Sequence, residues 1–192
     1  MSKRYTFTIE IYTSALVITG SYDLPLYRRV SDALNSRLHR YIVLRDATIA
    51  PADRVQHVQQ VPQILVDWSD ALLVATISEP DPPPDFKHAQ PPRNTQPMMF
   101  FTPLFALRAD FYKRTDRELI EMLSEMNDDF VPLRNITIYP HHSGAPVTRS
   151  FGCLNRHHIQ VLYPLGMAMT NAPVPSSEAP VHDVQAQPAS AE

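Results

Sequence analysis

The sequence predicts an α+β protein built from two tandem antiparallel β units, each with one helix. The main observation is an internal repeat, because LYRRVSDALNSRLHRYIVLRDATIAP at 26–51 returns in altered form as FYKRTDRELIEMLSEMNDDFVPLRNITIYP at 111–140. In addition, apolar and polar residues alternate in short segments, which is typical of strands with one buried face. Since the connections are short, neighbouring strands should pair antiparallel. The units form either two half-open barrels or one shared sheet, with the helices near a pseudo-twofold axis.

The first unit begins with two strands. Residues 5–11 alternate between apolar and polar, and a second apolar segment follows at 15–20. Ser31 is placed to cap a short helix after these strands. A further strand is expected over 41–49. The segment 64–77 is apolar on both sides of DWSD, so it predicts two strands around a turn.

The second unit repeats this plan. An apolar strand is expected over 98–109, and Thr115 with Glu118 forms a capping-box pair for the next helix. Closing strands are expected over 130–139 and 158–163. The apolar face of the predicted helix contains Leu119, Ile120, Leu123 and Met126.

The two copies differ in the spacing of their matched residues. We match Asp32 with Asp116, and LRDATIAP with LRNITIYP. More residues separate these features in the second copy, which predicts a helix about one turn longer there.

The chain divides into four regions on this interpretation: a first repeat unit at 1–78, a proline-rich mobile loop at 79–97, a second repeat unit at 98–168 and a disordered tail at 169–192. The loop holds seven prolines and hardly any apolar residue. It therefore cannot bury enough surface to offset the entropy of ordering.

Composition excludes several classes of function. Only four glycines are present and no glycine-rich phosphate loop occurs, which argues against the common nucleotide-binding folds. A net charge of −3 gives no broad attraction to nucleic acid, so we expect no nucleic-acid partner. No apolar run reaches the roughly 20 residues that cross a bilayer, and we expect no membrane association. Cys153 is the only cysteine and the amino terminus has a strand pattern rather than that of a signal peptide, so we expect a cytoplasmic protein.

Charged residues next to the two predicted helices are the candidates for ligand or partner binding. Arg28 and Arg29 precede the first helix, where basic groups oppose the positive end of the helix dipole. Helix stability therefore does not explain them. They can bind a carboxylate or phosphate, or pair with acidic residues within the chain. The complete candidate set is Arg28, Arg29, Asp32, Asn35, Lys113, Arg114 and Asp116.

A second group of residues has the chemistry of zinc ligands. It consists of His141, His142, Cys153, His157 and His158. Adjacent histidines point apart on a strand, and a cysteine in FGCL is typical of a small buried hydrophobe. We assign no metal ligand, cofactor or catalytic residue, and whether this group binds metal stays open.

The first copy resembles a short bacterial domain of unknown function in its VITG, RRVSDALN and IVLRDA segments. This resemblance implies no known activity. The order of Gly20, Asp23, Asn35 and LRDA is also loosely similar to that of Sm-like barrels, which bind RNA. The second copy departs from the pattern, since Arg108 stands near the place of Gly20 and Asn135 replaces the aspartate of LRDA. A site built on these residues need not exist twice.

We favour a non-catalytic interaction or assembly module that binds a protein partner or further copies of itself. The first alternative is an Sm-like RNA-binding or small anionic ligand-binding protein that uses the basic residues before the helices. The second alternative is a metal-dependent enzyme that uses the histidine and cysteine group. Salt-dependent RNA binding tests the first alternative, and a metal assay tests the second.

Overall fold

The computed structural model describes residues 4–25, 28–36, 40–52, 57–81, 94–113, 118–142 and 144–166. Within these ranges, ten strands form one antiparallel sheet. The two α-helices are only six and seven residues long. The chain is therefore mainly β, and the α+β prediction is wrong, because the helix in each half is too short to balance the sheet. Helices this short are marginal by themselves and cannot form a second layer over ten strands.

The first half of the sheet comes from the amino-terminal part of the chain. Its elements are β1 (Arg4–Tyr12), β2 (Leu16–Pro25), α1 (Val30–Asn35), β3 (Tyr41–Pro51), β4 (Gln59–Asp67), a 3-10 turn (Trp68–Asp70) and β5 (Leu73–Ser78).

The second half repeats the same succession of elements. These are β6 (Thr95–Phe101), β7 (Phe105–Tyr112), α2 (Leu119–Glu125), β8 (Phe130–Pro140), β9 (Val147–Asn155), a 3-10 turn (Arg156–His158) and β10 (Val161–Pro164).

The strand order shows how the two halves are related. The sheet runs β10-β6-β7-β8-β9-β5-β1-β2-β3-β4. Each half thus has the order fifth, first, second, third and fourth strand, and β3 and β8 occupy the same place in it. The halves join where β5, a fifth strand, pairs with β9, a fourth strand. A twofold axis would bring like strands together, so the predicted pseudo-twofold relation is wrong.

Local backbone features also correspond between the halves. Asp46 and Asn135 are each the sixth residue of an eleven-residue strand, and their φ angles are 48° and 51°. The short polar side chains of Asp and Asn tolerate this left-handed conformation. Each lies beside a register shift between the second and third strands of its half. The turn before β2 and the turn before β7 are closed alike, since the hydroxyls of Thr13 and Thr102 each donate to a carbonyl three residues on.

Two hydrophobic cores lie on opposite faces of the junction between the halves, which we call the seam (β5 and β9). Val74 and Cys153 belong to the first core, whereas Leu73 and Leu154 belong to the second. Successive residues of a strand point to opposite faces, so the seam strands are buried on both sides where Leu73 and Val74 pair with Leu154 and Cys153. This explains why β5 has a continuous apolar run rather than an alternating one.

The helix predictions were wrong in several details. Arg29, not Ser31, is the N-cap of α1, and it makes no side-chain capping hydrogen bond. Glu118 is the N-cap of α2. Ile120 is 78% exposed rather than on the packed face. Because α2 exceeds α1 by only one residue, the second copy does not gain a helical turn.

The strand predictions missed one turn and one strand. The segment 98–109, predicted as one strand, is divided between β6 and β7 by a turn at Thr102. We did not predict β9. Of the proline-rich segment, 82–93 lie outside the described residues, and Thr95 begins β6. The whole of the predicted tail, 169–192, lies outside the described residues as well.

Neither helix of the described ranges has the length and apolar character that crossing a membrane requires.

Candidate functional site

An open groove of about 640 Å³ lies over β2, β3 and β4, beside α1. We call it the arginine groove, because Arg4, Arg28, Arg40 and Arg45 all line it. Asp23 is the one carboxylate among its lining residues. The apolar and aromatic part of the lining includes Tyr22, Tyr41, Val43, Leu65 and Trp68.

The pleat of β3 brings apolar side chains to the groove. Ile42 and Leu44 point into the first core, so Tyr41 and Val43 point to the other face of the strand. Both are exposed. Leu65 of β4 lies directly opposite Val43 in the ladder and is exposed too. These three residues form an apolar patch on β3 and β4, next to the edge at which the sheet ends within the described ranges, which we call a free edge.

Two ion pairs orient arginines in and beside the groove. The Arg45 Nη2 atom lies 2.6 Å from Asp23 Oδ2, and the Thr6 hydroxyl donates to Asp23 Oδ1 at 2.7 Å. The Thr6 hydrogen bond, together with the Arg45 guanidinium, holds the pKa of Asp23 below its ordinary value. The Asp23 carboxylate therefore stays charged at neutral pH and holds the Arg45 guanidinium in place.

The second ion pair lies at the end of β4. Arg40 Nε is 2.8 Å from Asp67 Oδ2, and the Ser69 hydroxyl donates to Asp67 Oδ1 at 2.8 Å. The Ser69 hydroxyl and the Arg40 guanidinium lower the pKa of Asp67. The Arg40 guanidinium carbon also lies 5.5 Å from the centre of the Tyr41 ring, within range of a cation–π contact.

Of the sequence-predicted candidates, Arg28 lines the groove. The carbonyl of Arg29 accepts the first hydrogen bond of α1, from the Ala33 N–H at 3.0 Å. Asp32 lies in the first turn of α1. Lys113 follows β7 in the other half, and its N–H donates to the Asn94 carbonyl at 3.1 Å. The structure therefore places these residues on different elements, only Arg28 of them lines the groove together with Ser36 and Asp23, and Arg114 and Asp116 lie outside the described residues.

Asn35 connects the two halves. Its Nδ2 donates to the Phe130 carbonyl at 2.9 Å, and the Phe130 N–H donates to Asn35 Oδ1 at 2.8 Å. The Phe130 ring lies 6.1 Å from the Trp68 ring, centre to centre. The side-chain amide of Asn35 is thus engaged within the chain, where it anchors the start of β8 on α1.

The histidine and cysteine group is dispersed. Cys153 is fully buried in the seam, and burial raises the pKa of its thiol. A ring nitrogen of His141 contacts the Thr102 carbonyl oxygen. A ring nitrogen of His157 contacts Asp129 Oδ1, and one of His158 contacts the Ser69 carbonyl oxygen. Among the described residues, no three His, Cys, Asp or Glu side chains are close enough to hold a metal ion.

A smaller apolar pocket of about 390 Å³ lies between the β1–β2 turn of the first half and the β6–β7 turn of the second. Tyr12 and Phe105 line it, with their ring centres 5.7 Å apart, and His142 lies at the same pocket. The charged residues that the sequence singled out are not among its lining residues.

Sequence reasoning missed Arg4, Arg40 and Arg45 as neighbours of Arg28. They come from separate strands and connections, and the pairing of β1, β2, β3 and β4 brings them together. The shared Arg in LRDATIAP and LRNITIYP was the available signal.

Comparisons with known proteins give no relative: no protein-family model matches the chain, and no curated protein or solved structure matches it significantly.

Proposed function

We propose that this chain is a non-catalytic interaction module that binds a protein partner through the arginine groove and the adjoining free edge of β4. The observation that carries this proposal is the exposed apolar patch of Tyr41, Val43 and Leu65 among arginines. Arg, Tyr and Trp are the residue types that contribute most binding energy at protein interfaces. Charges at the rim and apolar groups at the centre are the usual arrangement of such an interface.

The free edge of β4 adds a second mode of recognition. Among the described strands, β4 pairs with β3 and ends the sheet. Its outer backbone groups can therefore accept a strand from a partner. Pro62 lies within β4 and supplies no N–H, a feature found on edge strands. A partner strand here would also cover Leu65.

A comparison of captured proteins tests this function. The tagged full-length chain serves as bait in an extract of the native cells, beside Val43→Glu and a control, Ile77→Glu. Ile77 is a similarly exposed apolar residue on the interior strand β5. We expect Val43→Glu to lose specific partners that the wild type and the control both retain. Identical sets of captured proteins for all three baits would contradict the proposal.

A second candidate function is the binding of single-stranded RNA or a small anion in the same groove. Four arginines beside Tyr41 and Trp68 favour it, because cations neutralise phosphates and aromatic rings stack on bases. Arg40 and Arg45, however, are each already paired with a carboxylate.

Fluorescence titration with a labelled oligonucleotide separates the two functions. If the groove binds RNA, the affinity should fall steeply as the salt concentration rises. The double variant Arg4→Gln with Arg28→Gln should then no longer bind. Lack of binding at low salt would exclude RNA and leave the protein-binding proposal intact.

A further inference from the structure

The seam is a complete interface within the chain. β5 and β9 pair antiparallel, with Leu73 opposite Leu154 and Val74 opposite Cys153. The Asn155 side chain donates to the Ala71 carbonyl at 3.0 Å, and the Asn155 N–H donates to the Leu72 carbonyl at 2.8 Å. The fourth strand of the second half, β9, thus meets the fifth strand of the first half, β5, through backbone pairing, apolar contacts and a buried side-chain amide.

Among the strands that the structure describes, β4 and β10 lie at the two free edges of the sheet, so the edges are again a fourth and a fifth strand. β4 and β9 are both fourth strands of nine residues, so Leu65 corresponds to Cys153. β10 and β5 are both fifth strands, so Val161 corresponds to Leu73. Leu65 is 57% exposed and Val161 is 56% exposed, whereas their seam counterparts are fully buried. The free edges therefore carry apolar side chains at the positions that the seam buries.

The residues around the edges follow the same rule. Tyr41 begins β3 as Phe130 begins β8; Tyr41 is 45% exposed, whereas Phe130 is fully buried in the first core. Val30 and Leu34 of α1 are buried against Phe130 and its neighbours. The corresponding residues of α2, Leu119 and Leu123, are only partly buried.

Two residues that interact with each other are both replaced at the corresponding positions of the other half. Across the seam, both Arg149 Nε and Nη2 donate to Glu10 Oε2, at 3.0 and 2.7 Å. Arg149 is the third residue of β9, and the third residue of β4 is Val61. Glu10 is two residues before the end of β1, and Met99 has that place in β6. A charged pair that links β1 and β9 across the seam thus corresponds to the apolar residues Val61 on the edge strand β4 and Met99 on β6, the neighbour of the edge strand β10.

We propose that copies of this chain associate head to tail, with β4 of one copy pairing antiparallel to β10 of the next as β9 pairs with β5 inside the chain. This inference rests on the proposed function and names a second copy as the partner of the β4 edge. The seam register places Leu65 opposite Leu162, and Val66 opposite Val161, of the neighbouring copy. Because the contact joins unlike edges, it leaves one edge of each kind open and extends to a ring or a filament.

The contact between copies is weaker than the seam. Asn155 corresponds to Asp67, since each is the last residue of its strand and accepts a hydrogen bond from the backbone N–H two residues later. A carboxylate cannot donate to a carbonyl as the Asn155 amide does. We therefore expect association to be reversible, and Asp67→Asn to shift it to lower protein concentration.

Sedimentation velocity of the full-length chain over a series of concentrations tests the association. The wild type and the control Ile77→Glu should grow in mass with concentration. Leu65→Glu, on the β4 edge, and Val161→Glu, on the β10 edge, should each remain monomeric. An equimolar mixture of these two variants should form a dimer and nothing larger, because each supplies the edge that the other has lost. A Val161→Glu variant that dimerises by itself would show a like-to-like contact and overturn the proposal.

Disulfide crosslinking tests the register. Cys153 is the sole cysteine and is fully buried, so it gives little background. Leu65→Cys mixed with Leu162→Cys should form a disulfide-linked dimer under mild oxidation, and Gln63→Cys mixed with Leu162→Cys should form far less. Equal yields would overturn the register.

Failure of this inference is distinguishable from failure of the proposed function. A wild type that stays monomeric at every concentration overturns self-association. Loss of other captured proteins in Val43→Glu would still support partner binding at the same groove.

Discussion

Helices α1 and α2 occupy corresponding places in the two halves, but only α1 is well buried. Val30 and Leu34 of α1 pack in the first core, where Phe130 of the second half completes the cluster. Leu119 and Leu123 of α2 are only partly buried, and within the part of the chain that the structure describes no third repeated half packs over them. In a repeated architecture, burial depends on the neighbouring unit as much as on the local sequence. The following variants test this comparison.

The largest effect is expected for the fifth strands. Leu73→Ala removes a fully buried side chain from the seam, and we expect it to lower the free energy of unfolding by about 2–5 kcal/mol. Val161→Ala, at the corresponding place in β10, should change it by only about 0.5 kcal/mol in the monomer, as is usual for exposed sites. Urea unfolding at low protein concentration measures both values. Equal losses would mean that β10 is as well buried as β5.

A smaller loss of stability is expected when Asn35, the sixth residue of α1, is replaced. Asn35→Ala leaves the buried Phe130 N–H and carbonyl without their partners and should cost about 1–3 kcal/mol. The matched control is Ser124→Ala, because the Ser124 hydroxyl donates within α2, to the Ile120 carbonyl. It should be nearly neutral. Hydrogen exchange should show faster exchange at the start of β8 in Asn35→Ala only; unchanged exchange there would contradict the bridging role.

The ion pair across the seam should contribute less. Arg149→Val or Glu10→Met alone should cost about 1–2 kcal/mol, because each leaves a partly buried charge unpaired. The double variant reproduces the combination of Val61 on β4 and Met99 on β6, and it should recover part of the loss. A double-mutant cycle of urea unfolding measures the coupling. Strict additivity would show that the pair does not interact.

The smallest effect is expected for the change of stability at acidic pH. The pKa of Asp23 is lower in the folded chain than its ordinary value of 3.8. The charged carboxylate therefore stabilises the fold fully when the pH lies above 3.8. That contribution disappears as pH falls through the lowered pKa. Asp23→Asn should therefore lose less stability than the wild type between pH 5 and pH 3, a window set by that ordinary value. Glu79→Gln, at an exposed carboxylate, should follow the wild type. Parallel curves for all three would contradict the effect.

Much of the strand pattern was predictable. Alternation gave β1, the apolar runs on both sides of DWSD gave β4 and β5, and the repeated LRDATIAP and LRNITIYP segments gave β3 and β8. β9 escaped prediction, because it is exposed and polar at its start and buried on both faces at its end. The spacing of its buried residues changes along the strand, so no single hydrophobic pattern identifies it.

The candidate site was only partly predictable. Arg28 was named from its place before a helix, but its neighbours in the groove come from strands that are distant along the chain. Asn35 was named as a binding residue, and only the tertiary structure shows that its amide holds Phe130.

The sequence alone determined that the chain repeats and that its segments are strands, because periodicity and turn residues act over a few positions. The tertiary structure decided that the second half joins through β9 to β5, which leaves two unlike edges free. Which strands meet depends on contacts distant in sequence, and on how each apolar face is buried. Neither is encoded in a local pattern.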